Sequence, residues 1–504
     1  MTNTAIIITV ICVVYMFLNI VISLYVSKIQ AKKDASDGKG FLVSYFMGGR
    51  SMGGFVLAMT IMATFISAST FMGGAGMANL RGLSWVYLAI IQVPTAFLLL
   101  ALLGKKFAIL GRKTNAVTVI DLLDARYESK AVSIISSVSL VLFSVAIMVA
   151  QYIGGAIIFE TITGLPYITG LLIFGVSVLI YTAWGGFKAV VTTDVIQGSL
   201  MVAGVVLILW TVISQGGGVE AITARVGEIN PYWNVPNPPA VQPPFLLSLW
   251  ILVGIATIGL PQTAVRGMAF KDTKSMHRSM TYSTCMFAFI MLGINLAGVF
   301  SSVMVNPADL VTFDYTLPAL ALAAMPLILA ALFIACILSV VMSTVSSLLI
   351  MASSSIVKDL YVKHIAKDKE IEVGSVREKS IKTISLVITA ILGVIVILLT
   401  VNPPDLIVWV NLFAFGGLQC AFLFPIVFGL FWKKANAMGS IFSAVAGVGV
   451  FMLSQSFALG PITYFGFAVN PIVHSLIIGA IAFLIGNMFG KDSPQKALDI
   501  FFKE

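Results

Sequence analysis

The sequence predicts an all-α polytopic membrane protein, and three observations lead to that fold class. The chain of 504 residues is 59% hydrophobic and only 10% charged, whereas a soluble protein carries about 25% charged residues. Its mean hydropathy is +1.03, and its apolar residues form segments of about 20 residues, the length that an α-helix needs to cross a bilayer. Two of these segments are interrupted by glycine or proline. These features argue against most enzymes of aqueous substrates and against the nucleic-acid binding that a net charge of +9 would otherwise suggest.

The apolar pattern predicts thirteen membrane-spanning helices. They cover residues 5–27, 53–77, 83–104, 131–155, 167–184, 189–213, 246–267, 279–303, 325–356, 380–401, 405–431, 437–459 and 470–490. The first segment has no basic residues before it and is longer than the apolar part of a signal peptide, so we expect it to be a retained span. An odd number of spans places the two termini on opposite sides of the membrane.

The distribution of Lys and Arg predicts which side each terminus occupies. With the N-terminus outside, 28 of the 30 basic residues lie on the inner side, and only Arg81 and Arg225 lie outside. The inner side then carries 28 basic and 15 acidic residues and the outer side 2 and 6, which gives surpluses of +13 and −4 and the total of +9. Because cytoplasmic loops are rich in Lys and Arg, the sequence predicts an outer N-terminus and an inner C-terminus.

Three stretches between the spans have a distinct character. Residues 214–245 contain six prolines, which predicts an outer loop without regular structure. Residues 357–379 are charged and are expected to form a solvated inner helix or loop. Residues 118–127 read as a short amphipathic helix at the inner surface with Thr118 as its cap. The four cysteines lie in apolar segments without a CxxC pair, so neither a disulfide framework nor a thiolate metal site is expected.

The two interrupted spans indicate a binding site. The second span reads MTIMATFISASTFMGGAGM and the seventh reads ILVGIATIGLPQTAVR. Unwound backbone is tolerated at membrane depth where it lines a cavity or is buried in protein, and paired broken helices in two halves of a chain point to the site of a transporter. The alternative is that these glycines and hydroxyl residues only pack helices together.

The positions of the two interruptions fit an inverted repeat. Spans two to six cover 53–213 and spans seven to eleven cover 246–431, and each set of five begins with an interrupted span. The two sets start in opposite orientations. One helix and an inner loop in 1–52 precede them, and two helices and a tail in 432–504 follow, within a single transporter domain.

The ninth span carries a candidate ion site. Val340, Ser343 and Thr344 stand at i, i+3 and i+4, which places them on one face of a helix. Two hydroxyl oxygens, together with backbone carbonyls freed by a break opposite, would form an uncharged five-oxygen cage for a hard monovalent cation such as sodium. Serine-rich helices also pack for other reasons, so this interpretation depends on the broken second span.

Few polar groups lie at membrane depth. Asp194 opens the sixth span and is either a functional carboxylate or an anion stabilised by the helix dipole. Gln151 and Asn411 lie on helices that we expect to line the cavity, and Gln92 and Asn295 are further uncharged polar residues within spans.

The motifs resemble those of the sodium:solute symporter family over nearly the whole chain. They are GGRSMGGFVLAMT at 48–60, GLLIFGVSVLIYTAWGGFKAVVTTDVIQG at 170–198, GLPQTAVR at 259–266, MSTVSSLL at 342–349, KDLY at 358–361 and GLFWKKAN at 429–436. Within the family, LGKKFAIL, NAVTVIDLLDARY and WVNLFAFGG are similar to the branch that carries pantothenate. The resemblance implies a LeuT-like fold, a bacterial cytoplasmic membrane location, transport without catalytic residues, and sodium as coupling ion with no other cofactor.

The resemblance also implies roles for individual residues. The sodium ligands would be the carbonyls of Ala63, Ile66 and Val340 and the hydroxyls of Ser343 and Thr344. Asp194 would lie near the inner sodium exit and Arg50 at the inner end of the broken helix. The implied substrate-binding residues are Thr64, Ser67, Ser69, Gln151, Trp250, Pro261 and Asn411.

One departure from the family pattern bears on the substrate. Proline-carrying members have an acidic residue where this chain has Phe65. A substrate that brings its own carboxylate and no amine would not need that charge, so the implied substrate is a small anion such as pantothenate, carried by a monomeric unit. A symporter for proline, a sugar or another monocarboxylate remains an alternative, as does a membrane sensor that binds solute without moving it.

Overall fold

The computed structural model describes residues 3–37, 52–235, 243–366, 375–456, 462–464 and 466–503, and these form a helical bundle. The helices of the first half are α1 (Asn3–Asp37), α2 (Gly54–Phe65), α3 (Ser69–Arg81), α4 (Leu83–Lys113), α5 (Val119–Tyr127), α6 (Lys130–Thr163), α7 (Tyr167–Gln215) and α8 (Val219–Ile229). Those of the second half are α9 (Pro243–Gly259), α10 (Pro261–Gly267), α11 (Thr273–Ser301), α12 (Thr316–Ala324), α13 (Leu327–Ala366), α14 (Val376–Thr400), α15 (Ile407–Phe431), α16 (Ala437–Ser456), α17 (Ile472–Phe489) and α18 (Gln495–Phe502).

Within the described residues, ten helices are long and apolar enough to cross a membrane, and the bent pair of α2 and α3 makes eleven. The 49-residue helix α7 contains a further change of direction at Gly186, where φ is +67° and ψ is 177°. A positive φ is readily adopted only by glycine. This kink falls between the predicted fifth and sixth spans, which end at 184 and begin at 189.

The second predicted span is broken between α2 and α3, whose axes differ in direction by 64°, but the break precedes Gly73, Gly74 and Gly76, which lie within α3. Helix α2 ends at Phe65, and Ile66 is extended with φ −73° and ψ 123°. Helix α3 then begins with a wide π-helical turn over Ser69–Gly74. A Cβ on Gly76 would lie 2.0 Å from the carbonyl oxygen of Phe313, so the glycine permits close packing of α3 against the loop before α12.

The second predicted break lies between α9 and α10. Gly254 leaves the helical region with φ −107° and ψ −95°, and a 3₁₀ turn follows over Ile255–Gly259. Leu260 is extended, and Pro261 begins α10. Proline suits that first helical position because the N–H group it lacks would have no partner there.

The broken helices lie inside a frame of long helices. Helix α2 packs on α7, α11 and α13, while α13 also packs on α1, α6 and α7. Helix α15 packs on α6, α16 and the 3₁₀ turn of α9. The breaks are therefore enclosed by protein, which satisfies the condition for irregular backbone in a membrane.

The short helix α5 has the predicted cap. The hydroxyl of Thr118 accepts a hydrogen bond from the backbone N–H of Asp121, and the Asp121 carboxylate accepts one from the N–H of Thr118. This reciprocal pair satisfies two of the N–H groups that a helix start leaves free. Helix α5 lies against α18 and the π-helical end of α13, and we call this end of the bundle the α5 end.

Two predictions about the segments between spans are wrong in part. Residues 214–245 were expected to lack regular structure, but α8 forms there because the prolines begin only at Pro231, and Ile222 and Val226 give the segment a buried face. A two-stranded hairpin, β1 (Ile462–Tyr464) and β2 (Phe467–Val469), also departs from an all-α chain. Residues 355–366 continue α13 as a π-helix, but Val357 and Asp359 are buried in it, so this part of the stretch 357–379 is not the solvated segment that was expected; residues 367–374 lie outside the described residues.

Candidate functional site

The first break brings five oxygen atoms together between α2 and α13. The hydroxyl of Ser343 lies 2.7 Å from the carbonyl oxygen of Ala63 and 2.9 Å from that of Val340. The hydroxyl of Thr344 lies 3.2 Å from the carbonyl oxygen of Ile66 and 3.3 Å from that of Val340. All five residues are buried. These are the five residues expected to hold sodium.

The chemistry of this cluster suits a hard monovalent cation. All its donors are neutral oxygens, and the carbonyls of Ala63 and Ile66 lie where α2 has ended, so helical N–H partners are missing there. The described residues contain no group of three or more His, Cys, Asp or Glu side chains that could hold a metal. The site can therefore favour an alkali cation, but it lacks the charge expected for a transition metal.

Gln151 supports the break from the opposite side. Its side-chain carbonyl accepts a hydrogen bond of 2.8 Å from the backbone N–H of Ala68, at the start of α3. The side-chain amide donates to the carbonyl of Ile147 on its own helix. Gln151 is fully buried, so its geometry is that of a positioning residue for the unwound segment rather than of a cavity wall.

A polar cavity lies beside the oxygen cluster, between α3, α4, α11 and α15. Its polar lining consists of Ser67, Ser69, Thr70, Gln92, Asn295 and Asn411, and the Trp85 side chain also lines it. The Oδ1 atoms of Asn295 and Asn411 are buried without a hydrogen-bond partner among the described residues. None of the residues that line this cavity in the described part of the chain is charged.

Aromatic side chains form the apolar part of the cavity. Phe65 packs edge-on to Phe287 at 5.2 Å and lies 5.9 Å from Phe415 between ring centroids. Trp85 packs edge-on to Trp409 at 6.2 Å. Apolar surface and neutral hydrogen-bonding groups thus meet in this cavity, but its volume of about 40 Å³ would have to increase to admit a small organic solute.

The remaining predicted substrate residues lie outside the cavity lining. The Thr64 hydroxyl donates to the carbonyl of Thr60 and lies 3.3 Å from the hydroxyl of Ser347. The Trp250 indole donates to the backbone carbonyl of Tyr87 at 3.2 Å. Pro261 is the first residue of α10. Of the seven predicted residues, the cavity collects Ser67, Ser69 and Asn411.

Asp194 belongs to a buried charged network near the α5 end. Its Oδ2 accepts a 2.5 Å hydrogen bond from the Thr60 hydroxyl and lies 3.7 Å from the Arg266 guanidinium. Arg266 also donates to the Thr60 carbonyl, the Gln262 carbonyl and the Ser347 hydroxyl. The network therefore links α2, α7, α10 and α13. Arg50, the other predicted ion-path residue, lies outside the described residues.

Arg266 was not among the predicted site residues, although the sequence carried a signal for it. It is the basic residue within the seventh predicted span, and an ionisable residue at membrane depth is a functional candidate. Its partners lie up to 206 positions away in the chain. Gln92 and Asn295 were recognised as polar residues within spans, but the pattern did not assign them to the cavity.

A buried polar cavity and a cluster of neutral oxygens, placed together at a broken helix in a bundle of membrane-length helices, form the arrangement typical of a secondary transporter. A sequence model of the sodium:solute symporter family matches residues 45–447. The chain belongs to that family and is a multi-pass membrane protein.

Two curated relatives resemble most of the chain. The sodium/pantothenate symporter of Haemophilus influenzae is 45% identical over 458 residues, which cover 90% of this chain and 92% of the relative. The sodium/pantothenate symporter of Escherichia coli is 43% identical over 469 residues, covering 93% and 94%. The osmoregulated proline transporter of Bacillus subtilis is more distant, at 28% identity.

Solved structures show the same fold at low sequence identity. A Na⁺-coupled sialic acid symporter in a substrate-bound outward-open state aligns with a TM-score of 0.76 at 21% identity, covering 97% of this chain and 99% of that one. The nucleobase-cation-symport-1 family transporter Mhp1 aligns with a TM-score of 0.54 at 16% identity, covering 91% and 95%. The fold is that of the LeuT-like symporters.

Proposed function

We propose that this chain carries out sodium-coupled uptake of pantothenate by alternating access. The observation that carries the proposal is the five-oxygen cluster at the first break, which adjoins a neutral polar cavity. Support for the substrate comes from the two sodium/pantothenate symporters that match more than nine-tenths of their own length to this chain. The proline transporter is similar at only 28% identity.

Coupling follows from the shared backbone of the two sites. Ile66 contributes a carbonyl to the oxygen cluster, and the next residue, Ser67, lines the cavity. A sodium ion between α2 and α13 would hold this segment in one conformation and so preorganise the cavity. By linkage, substrate must tighten sodium binding by the same factor, typically about 1–3 kcal/mol.

The cavity favours an anion because sodium can supply the positive charge that its lining lacks. Indole, amide and hydroxyl groups can donate hydrogen bonds to a carboxylate, and Trp85, Asn411 and Ser69 provide all three. Phe65 lines the cavity at the place where proline-carrying members have an acidic residue. A zwitterionic amino acid would find no counter-charge for its ammonium group, so the geometry favours pantothenate over proline.

The proposed topology has thirteen spans and an outer N-terminus. Eleven spans come from the long helices and the bent pair, the kink at Gly186 divides α7, and the segment of α9 and α10 adds the last. The repeats would cover 53–213 and 246–431, flanked by 1–52 and 432–504. The α5 end then faces the cytoplasm of a bacterial cell, because the basic surplus lies on that side, and the network of Asp194 and Arg266 closes the inner half.

The test is uptake of labelled pantothenate into proteoliposomes that contain the purified chain. We expect accumulation with a sodium gradient and none with potassium, and competition by unlabelled pantothenate but not by proline or galactose. One sodium and one monovalent anion carry no net charge, so a membrane potential alone should not drive uptake. Accumulation driven by a potential without a sodium gradient would contradict this stoichiometry, and sodium-independent uptake would contradict the function.

A further inference from the structure

A second buried carboxylate at the α5 end lacks a full set of partners. Asp359 lies in the π-helical part of α13 and is fully buried. Its Oδ1 accepts a 2.9 Å hydrogen bond from the Thr118 hydroxyl and lies 4.0 Å from the Lys358 ammonium. Its Oδ2 is buried and has no hydrogen-bond partner among the residues that the structure describes.

Anchoring of helix α5 accounts for only one of the two oxygen atoms of the Asp359 carboxylate. The contact between Thr118 and Asp359 ties the start of α5 to α13, and it uses Oδ1 alone. A residue kept only for this contact would leave Oδ2 uncompensated, and a buried polar atom without a partner is unfavourable. The second oxygen therefore indicates a ligand.

The local charges also leave Asp359 in excess. The carboxylates of Asp121, Asp124 and Asp359 lie near the ammonium groups of Lys358 and Lys363, and each lysine makes its shortest ion pair with a carboxylate other than Asp359. Lys358 pairs with Asp121, and Lys363 lies 2.7 Å from Asp124. Within the described part of this cluster, Asp359 is thus the carboxylate with the longest ion pair, 4.0 Å to a Lys358 ammonium that lies closer to Asp121.

Asp359 shares a small cavity with the network that closes the inner half. Arg266 and Ser347 line one part of this cavity, and Ser354, Ser355 and Asp359 line another. The Ser355 hydroxyl is also buried without a partner among the described residues. The cavity has a volume of about 20 Å³, enough for one particle of water size, which needs about 10–15 Å³. A sodium ion with oxygen ligands meets that limit.

We propose that Asp359, with Ser354 and Ser355, forms a second cation-binding position on the inner exit path of sodium. This inference rests on the sodium-coupled transport proposed above. Ser343 and Ser355 lie on the same continuous helix, α13, and their twelve-residue separation corresponds to about 18 Å along an α-helix. When the Arg266 network opens, a cation leaving Ser343 passes the Arg266 guanidinium and reaches the Asp359 carboxylate, which lines the same cavity.

The inner cation-binding position has a measurable consequence. A cation-binding group at the exit determines how strongly sodium inside the vesicle opposes the release of transported sodium, and so inhibits uptake. In right-side-out membrane vesicles, initial uptake of labelled pantothenate is measured at fixed external sodium while internal sodium is varied, with choline balancing ionic strength. We expect Asp359→Asn to raise the internal sodium concentration for half-inhibition about tenfold. The external sodium concentration for half-maximal uptake should stay within twofold of that for the unmodified chain.

Two further variants make the test decisive. Asp124→Asn removes a carboxylate of the same cluster that does not line the cavity, and both sodium dependences should be unchanged. Ser355→Ala removes one hydroxyl and should raise the internal half-inhibition about threefold, which provides the test if Asp359→Asn does not reach the membrane. Unchanged internal inhibition in the assembled variants, or an equal shift in Asp124→Asn, overturns the inner position.

Failure of the proposed function gives a different result. If uptake by the unmodified chain does not depend on external sodium, the proposed function is refuted. Binding of ²²Na⁺ in nanodiscs to the full chain that carries Ser343→Ala and Thr344→Ala then measures the inner position apart from the five-oxygen cluster. Asp359→Asn should weaken that binding about tenfold relative to Asp124→Asn, and equal binding by the two variants overturns the inference.

Discussion

The buried pair of Asp194 and Arg266 predicts that the inner half of the transporter is held closed by charge. Arg266 reaches four helices in this arrangement, and both side chains are nearly inaccessible, at 0% and 3% exposure. Replacing Arg266 by Gln leaves a buried carboxylate whose remaining described partner is the Thr60 hydroxyl. Removing one partner of a buried pair destabilises by about 3–5 kcal/mol.

This energy acts on the closed arrangement, because Asp194 gains water when the inner half opens. At about 1.4 kcal/mol per factor of ten, the lower value corresponds to roughly a hundredfold shift toward the open arrangement. Arg266→Gln should therefore increase inner accessibility by between tenfold and a hundredfold, since new hydrogen bonds from the glutamine offset part of the loss.

Cysteine labelling measures this shift. Ser354 lines the same cavity as Arg266, so a cysteine introduced at this position reports opening of the inner half. The exposed native cysteine, Cys285, is first replaced by serine. In inside-out vesicles, a membrane-impermeant maleimide should label Ser354→Cys ten to a hundred times faster when Arg266→Gln is present. Arg278→Gln, which removes an exposed arginine on α11, is the control and should leave the rate unchanged.

The double variant gives the outcome that could refute this reasoning. Asp194→Asn combined with Arg266→Gln leaves two neutral amides, so no buried charge is left unpaired and most of the closed arrangement should return. If the double variant is labelled as fast as Arg266→Gln alone, the unpaired carboxylate is not the cause of opening. If Arg266→Gln is labelled at the rate of the control, the pair does not hold this half closed.

Three further predictions concern the ion site, the ion path and the outer loop. Ser343→Ala with Thr344→Ala removes both hydroxyl ligands and should raise the sodium concentration for half-maximal uptake at least tenfold at normal membrane levels; unchanged sodium dependence counts against the site. Asp194→Asn should slow transport more than it weakens substrate binding, measured as uptake rate against equilibrium binding, and equal effects would indicate a purely structural role. Burial raises the pKa of Asp314, whose carboxylate accepts a hydrogen bond from the backbone N–H at the start of α15, to about 6. Protonated Asp314 therefore stabilises the fold below about pH 4, and this contribution is lost as the pH rises through 6. Asp314→Asn should reduce the fall in melting temperature between pH 4 and 7, whereas the exposed control Asp309→Asn should retain it in full; an undiminished fall in Asp314→Asn assigns it to another group.

The fold was largely predictable because its signals are local. An apolar run of sufficient length, a glycine or proline within it, and a Lys- and Arg-rich flank can each be recognised without knowledge of the partner segment. The break at Gly254 and the kink at Gly186 lie at glycines, whereas the first break, at Ile66, lies before Gly73, Gly74 and Gly76, which are helical. Helix α8 was missed because the prolines that begin at Pro231 were taken to characterise the whole stretch.

The candidate site was only partly predictable because its geometry depends on contacts between distant segments. The five ion-ligand residues came from a helical spacing and a family motif, and their oxygens lie together. Gln151 has the same residue type as a cavity amide, but tertiary packing turns it toward the Ala68 N–H. Nothing in the local sequence shows whether the Gln151 amide points to the cavity or to the Ala68 N–H. The contact of Arg266 with Thr60 is equally absent from the local sequence.

The distribution of charge along the bundle explains how one chain can couple two solutes. The cavity is neutral and the ion cluster is neutral, so neither is preorganised by charge for its own ligand alone. A sodium ion at Ile66 and an anion at Ser67 would compensate each other across adjacent residues, which makes joint occupancy more favourable than either single occupancy. The buried pair of Asp194 and Arg266 lies instead near the α5 end. In the proposed mechanism, charge fixed in the protein would thus control the gate, while charge carried by the two ligands would supply the coupling.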